Sequence, residues 1–223
     1  MGVLVKICGL TRGEEVDWAV EAGADAVGFV FHPLSRRRLD PEQARVLAAR
    51  VPGGVTKVGV VDSPDLDGLL GLVDAVPLDA VQWHGRYRGD VMAALRRLRP
   101  DVKLILAVGM GRTEAVRSIQ QALRLANLAE YFLLDTAAGA GGGTGLTWEW
   151  ASGQSIVWPR PVIVAGGLTP ENVGRALDHL LPAGVDVSSG VERDGVKDRH
   201  KVFGFVRAVR SWERTRGGGA VDE

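Results

Sequence analysis

The sequence predicts a single (β/α)8 barrel, and three observations carry that expectation. Eight short apolar runs alternate with about eight helix-like segments along 223 residues. Most of the runs are almost continuously apolar, the pattern of strands buried on both faces of a parallel sheet. The segments between them are long enough to be crossovers, which favour parallel pairing. A doubly wound open sheet is the alternative, although that class more often has about five to seven strands.

The elements follow in order. Val3–Ile7 is the first strand, ended by Cys8 and Gly9. Thr11 is placed to cap the helix Glu14–Ala22, which carries Val16, Ala19 and Val20 on one face. Asp25–Phe31 is the second strand. Asp40 as cap and Pro41 at the first position open a second helix, Pro41–Arg50. Thr56–Val61 is the third strand, followed by a short, weak helix, Leu66–Val73. Leu78–Trp83 and Val91–Leu98 make the fourth pair, and Val102–Val108 and Thr113–Leu125 the fifth. Tyr131–Asp135 is the sixth strand, followed by a glycine-rich loop and a little helix. Pro161–Ala165 precedes Pro170–Leu181, and Val185–Ser188 precedes His200–Trp212. Residues 1–213 are read as one barrel domain. The glycine-rich, polar tail 214–223 is expected to be disordered.

Bulk properties exclude several classes. The 27 basic and 27 acidic residues cancel, so no global field points to nucleic acid or an anionic membrane. One cysteine cannot form an intramolecular disulfide. No signal peptide is visible, and no apolar run approaches the roughly 20 residues that span a bilayer. A cytoplasmic protein, monomeric or homodimeric, is the expectation.

A barrel enzyme holds its site at the C-terminal ends of the strands. Polar and glycine residues cluster there: Cys8-Gly9 after the first strand, His32 and Ser35 to Arg38 after the second, and Gln82 and His84 at the end of the fourth. Asp135 ends the sixth, with Gly141–Gly145 after it; Gly166-Gly167 and Ser188-Ser189-Gly190 follow the seventh and eighth. The last two turns are where barrels often hold phosphate on backbone N–H groups. The bland reading of Gly166-Gly167 is a tight turn.

Asp135 closes an apolar strand. Partial desolvation would raise its pKa and suit it to general acid work; the other reading is a loop-stabilising carboxylate. Cys8 is either a small buried apolar side chain or, with a lowered pKa, a base or nucleophile. Lys6 points to the same side of its strand as Cys8. It is expected to lie inside the barrel and to pair with Asp186 of the last strand, because an unpaired interior ammonium is costly. One arginine of Arg36, Arg37 and Arg38 could clamp a carboxylate, although such runs are usually solvated surface. His84 is either a titrating group or hydrogen-bonded scaffold. No His/Cys/Asp spacing suggests a metal site, and Gly141–Gly145 lacks the Lys-Ser/Thr of a nucleotide P-loop.

From Lys6 to about Phe205 the chain resembles the phosphoribosylanthranilate isomerases. The resemblance rests on Lys6-Ile7-Cys8-Gly9-Leu10-Thr11, on Gly23 to Phe29 with Ser35-x-Arg37, and on Val81-Gln82-Trp83-His84-Gly85. It continues in Leu134-Asp135-Thr136 with Gly142-Gly143-Thr144-Gly145, in Ala165-Gly166-Gly167-Leu168, and in Asp186 to Glu192 with Gly195 and Lys197-Asp198. It implies an Amadori rearrangement of a phosphosugar substrate, N-(5-phosphoribosyl)anthranilate, without cofactor or metal. Cys8 would be the general base and Asp135 the general acid. Arg37 would meet the anthranilate part, Gln82 and His84 would face the substrate, and Gly166, Gly167, Ser188, Ser189 and Gly190 would hold the phosphate. Rival readings are another phosphosugar barrel, such as an epimerase, and a barrel that binds a phosphorylated ligand without turnover.

Overall fold

A computed structural model describes residues 2–111, 115–136 and 148–217. Eight parallel strands form a closed barrel in sequence order: β1 (Leu4–Cys8), β2 (Ala26–Val30), β3 (Thr56–Val61), β4 (Ala80–Trp83), β5 (Lys103–Gly109), β6 (Tyr131–Asp135), β7 (Val162–Val164) and β8 (Gly184–Val187), with β8 pairing back onto β1. Around it run α1 (Gly13–Glu21), α2 (Pro41–Ala48), α3 (Leu66–Ala75), α4 (Gly89–Leu98), α5 (Ala115–Arg124), α6 (Ala151–Gln154), α7 (Val173–Leu180) and α8 (Arg199–Gly217). The (β/α)8 expectation is met. The glycine loop Gly141–Gly145 lies outside the described residues, as do residues 218–223.

The apolar runs are continuous because each strand faces two cores. Leu104, Leu106 and Val108 of β5 point to the helix layer, while Ile105 and Ala107 point into the barrel. The interior layer is completed by Ala26, Val58, Ala80, Leu133, Ile163 and Ala165. The same alternation turns Asp135, two residues beyond Leu133, into the barrel at its mouth.

Local signals explain most helix starts. Asp40 accepts the Gln43 N–H at 2.8 Å, Gln43 accepts the Asp40 N–H at 3.0 Å, and Pro41 occupies the first turn. At α1 the expectation fails in detail. Thr11 does not accept; its N–H and hydroxyl donate to the carboxylate of Glu15, at 2.6 and 3.2 Å. α3 is longer than expected, running to Ala75. α7 starts later, at Val173, after a turn in which Asn172 accepts the Thr169 N–H at 2.7 Å.

The tail boundary is corrected as well. α8 extends to Gly217, four residues into the stretch expected to be disordered. Arg216 reaches Asp178 of α7 at 3.0 Å and lies over the Trp212 ring at 4.9 Å, contacts that a composition-based reading does not see. A hairpin of β9 (Glu192–Arg193) and β10 (Val196–Lys197), preceded by a 3-10 turn at Ser189–Val191, leaves no signal in the sequence, because its strands are two residues long and carry no periodicity.

The barrel floor carries a repeated device. Asp25, just before β2, accepts the Val5 N–H of β1 at 2.8 Å. Asp79, before β4, accepts the Lys57 N–H of β3 at 2.7 Å, and Glu130, before β6, accepts the Leu104 N–H of β5 at 2.7 Å. Each carboxylate satisfies a backbone donor at a strand start. No helix among the described residues is long and apolar enough to cross a membrane.

Candidate active site

The mouth of the barrel opens into a cavity bounded by Cys8, Arg37, Gln82, His84, Asp135 and Ser188. Val30, His32, Ser35, Val60 and Asp186 complete its wall. A second hollow adjoins it and shares Asp135, Asp186 and Ser188. Its lining includes Gly166, Gly167, Ser189 and Gly190. The ten residues to which the family resemblance gives a catalytic or binding role all border one of these two adjoining hollows.

Cys8 ends β1 and packs with Val30 and Val60 in a small apolar cluster. Its partner across the β1–β2 register is Gly28. A Cβ at Gly28 would lie 2.6 Å from the Cys8 sulfur, so the glycine makes room for the thiol. Burial pushes the Cys8 thiol above its ordinary pKa; the charges of Lys6 and Lys197 pull the other way without prevailing. Of the two sequence readings of Cys8, the lowered pKa is not found, and burial fits the small apolar side chain.

Lys6 is wholly buried. Its register partner across the closing β1–β8 seam is Asp186, and the expected ion pair is present at 2.9 Å. Burial alone would lower the Lys6 pKa, but Asp186 and Cys8 outweigh it and hold the ammonium above 10.5. The ammonium also donates to Gln82 Oε1 at 2.9 Å. That contact fixes the Gln82 amide, because only its oxygen can receive an ammonium. The Gln82 Nε2 then lies 3.2 Å from His84 Nδ1 and can only donate. His84 Nδ1 is thereby the acceptor, and the proton of the neutral ring sits on Nε2, 3.6 Å from Asp135 Oδ2. One chain of contacts thus runs from the floor of the site to Asp135. That carboxyl accepts the Thr136 N–H at 2.7 Å. Burial raises its pKa above the usual carboxylate range, against the opposing influence of His84.

Arg37 is buried, not solvated. Its Nε and Nη2 bond both oxygens of Glu192, at 2.6 and 2.8 Å. Arg36 reaches the same carboxylate at 2.5 Å and Lys197 at 2.6 Å. Lys197 also donates to the carbonyl and hydroxyl of Ser188, at 3.1 and 3.2 Å. Burial would raise the Glu192 pKa, but the Arg37 bond and the Lys197 charge hold it low; burial lowers that of Lys197. The guanidinium expected to clamp a ligand carboxylate is therefore already committed on its Nε–Nη2 edge, leaving the Nη1–Nη2 end. Gly9, at φ +75°, permits this placement: a Cβ there would lie 2.3 Å from Arg37 Cδ. Sequence reasoning gave Glu192 and Lys197 no role. Neither sits at the end of a barrel strand, and Arg37 and Glu192 are 155 residues apart.

The second hollow is backbone-rich. Gly166 and Gly167 have φ of +84° and +66°. A Cβ at Gly166 would approach the Thr136 N–H to 2.7 Å and Asp135 Oδ1 to 2.9 Å, and one at Gly190 would strike the Leu168 carbonyl oxygen at 1.7 Å. Glycine at these positions keeps the β7 and β8 turns close together and their N–H groups accessible.

A family model described as N-(5'-phosphoribosyl)anthranilate isomerase matches residues 5–208. A protein of that name from Desulforudis audaxviator is 42% identical over 212 residues, covering 93% of this chain and 98% of its own. One from Thermotoga maritima is 39% identical over 215 residues, covering 93% and 98%. Among solved structures, the Thermotoga maritima phosphoribosyl anthranilate isomerase matches with a TM-score of 0.80 at 37% identity, over 94% of this chain and 99% of that one. A structure of such an isomerase in complex with reduced 1-(o-carboxyphenylamino)-1-deoxyribulose 5-phosphate matches with a TM-score of 0.78 at 35% identity, over 94% and 99%. Another is of monomers generated from the dimeric Thermotoga maritima enzyme, at 35% identity and a TM-score of 0.78, again over 94% and 99%.

Proposed function

Because the chain belongs to the N-(5'-phosphoribosyl)anthranilate isomerase family, enzymes of tryptophan biosynthesis, we propose that Cys8 and Asp135 are the general base and general acid of its Amadori rearrangement. The observation that carries this reading is the shared cavity: the Asp135 carboxyl and the Cys8 thiol face it from β6 and β1, beside a glycine-rich hollow suited to phosphate. The phosphate rests on the turns at Gly166-Gly167 and Ser188-Ser189-Gly190. This fixes the sugar between the two reacting side chains, and remote binding of that kind supplies positioning.

Asp135 protonates the furanose ring oxygen, and the ring opens to a cationic Schiff base. Cys8, as thiolate, removes the proton from C2. The enolamine then tautomerises to the aminoketose. Acid and base catalysis are each worth about 10²–10⁴-fold. His84, with its Nε2–H toward Asp135, keeps that carboxyl oriented, and Gln82 keeps His84 in that tautomer.

Both catalytic pKa values are raised, which sets the pH profile. The reactive form has Asp135 protonated and Cys8 ionised. Between the two pKa values it is a minor tautomer of the form with the proton on sulfur, and its share is constant there. The rate therefore rises through the Asp135 pKa and falls only through that of Cys8, above 9.0. The substrate is a soluble phosphosugar, and the protein works in the cytoplasm as a monomer or homodimer.

The test follows the fluorescence of phosphoribosylanthranilate. Wild type consumes it and Cys8→Ala loses at least about 10²-fold in kcat. A wild-type protein without turnover ends the enzyme reading; a fully active Cys8→Ala ends the base assignment alone.

A further inference from the structure

Once the phosphate lies at β7 and β8 and the sugar between Cys8 and Asp135, the rest of the cavity is walled by β2 and β3. Val30 and Val60 are buried there and pack beside Cys8, giving an apolar seat for a flat ring. At its edge is His32, only 3% exposed. The His32 Nδ1 accepts the Leu34 N–H at 3.2 Å. A neutral ring with Nδ1 as acceptor carries its hydrogen on Nε2. That Nε2–H has no hydrogen-bond partner among the described residues. Asp62 Oδ2 lies 3.5 Å away and is not hydrogen-bonded to it. A buried donor without an acceptor is destabilising, so the group is set up for something that arrives.

The ligand's aromatic carboxylate has two oxygens. Two of the five Arg37 N–H groups are committed to Glu192, which leaves its Nη1–Nη2 end for the ligand and lone pairs on the ligand carboxylate for a second donor. Resting on the functional reading above, we infer that His32 is a specificity-determining residue that donates from Nε2 to the aryl carboxylate of the substrate. The two valines hold the ring, and His32 identifies the acid on it. The competing role is structural: Asp62 takes the hydrogen and His32 serves the loop alone.

Two ligands separate these roles: reduced 1-(o-carboxyphenylamino)-1-deoxyribulose 5-phosphate, and its phenylamino counterpart without the carboxylate. Calorimetric Kd values are measured for wild type, His32→Phe and His32→Gln. Phe keeps the ring and loses the donor; Gln brings an amide N–H to the same reach. His32→Phe is expected to weaken the carboxylated ligand by about 10- to 100-fold while leaving the phenylamino ligand within about twofold, and His32→Gln to recover most of the difference. Equal weakening of both ligands, no change in His32→Phe, or a Gln variant no better than Phe overturns the inference while leaving the enzyme reading standing. A wild-type protein that binds neither ligand overturns both.

Discussion

Replacing Lys6 by Met removes the buried ammonium while keeping most of the volume of its stem. At an effective dielectric of about 20, charges 2.9 Å apart attract by about 6 kcal/mol. Desolvating two ions costs several kcal/mol each, so the intact pair adds little net stability. Removing one partner is different. Asp186, 8% exposed, loses its counter-ion, and Gln82 Oε1 loses its donor. The expected loss is about 3–5 kcal/mol, or about 6–20 °C in Tm for a domain of this size. The sign with pH is set by the raised Lys6 pKa. Its contribution is complete below 10.5 and fades only as pH rises through the higher folded value, so the loss is fully present at pH 7. Urea unfolding of wild type, Lys6→Met, Asp186→Leu and the double variant is the assay. The double variant, with no orphaned charge, is expected to recover most of the loss. A single variant within about 1 kcal/mol of wild type, or a double variant no more stable than Lys6→Met, would refute the reasoning.

Two further outcomes follow from the same site. Asp135→Asn is expected to lose about 10²–10⁴-fold in kcat yet to melt higher at pH 7. The raised folded pKa of Asp135 is a stability penalty that develops as pH climbs from 3.8 to that folded value, and Asn is free of it. Paired melts at pH 3.5 and 7 check this, and a gain of equal size at both would show that Asp135 ionisation is not its source. Gly28→Ala puts a methyl 2.6 Å from the Cys8 sulfur. It is expected to cost about 1–3 kcal/mol by overpacking and to slow alkylation of the thiol, read by timed iodoacetamide labelling; an unchanged labelling rate would mean that the strand yields instead.

The barrel was legible because its signals are local. Thr56–Val61 and Tyr131–Asp135 are strands over the residues expected, and the Asp40-Pro41 start of α2 is where its capping chemistry puts it. The Lys6–Asp186 pair was also legible, since barrel closure and side-chain parity leave one neighbour for that ammonium. What escaped depends on depth and on partners far along the chain. Cys8 reads either as a packed apolar side chain or as an activated thiol, and only depth decides between them: burial outweighs the charge of Lys6. Arg37 reads as one of three surface arginines until Glu192 reaches back across the hairpin to hold it. No spacing rule reveals which His84 nitrogen carries the proton, because Lys6 decides it through the amide of Gln82.

The carboxylates at the barrel floor bear on how the chain finds its fold. Those ties from Asp25, Asp79 and Glu130 join residues only 20, 22 and 26 positions apart. The Lys6–Asp186 contact that zips the last seam spans 180. Loop-closure entropy grows by about 0.6 kcal/mol per doubling, so the final seam is harder to close by about 2 kcal/mol than any tied pair. Three strand pairs can assemble early and independently, each held at its foot. The circle is completed by a contact of far longer range, at the buried ion pair beneath the thiol, and the reaction chamber exists only once that seam is closed.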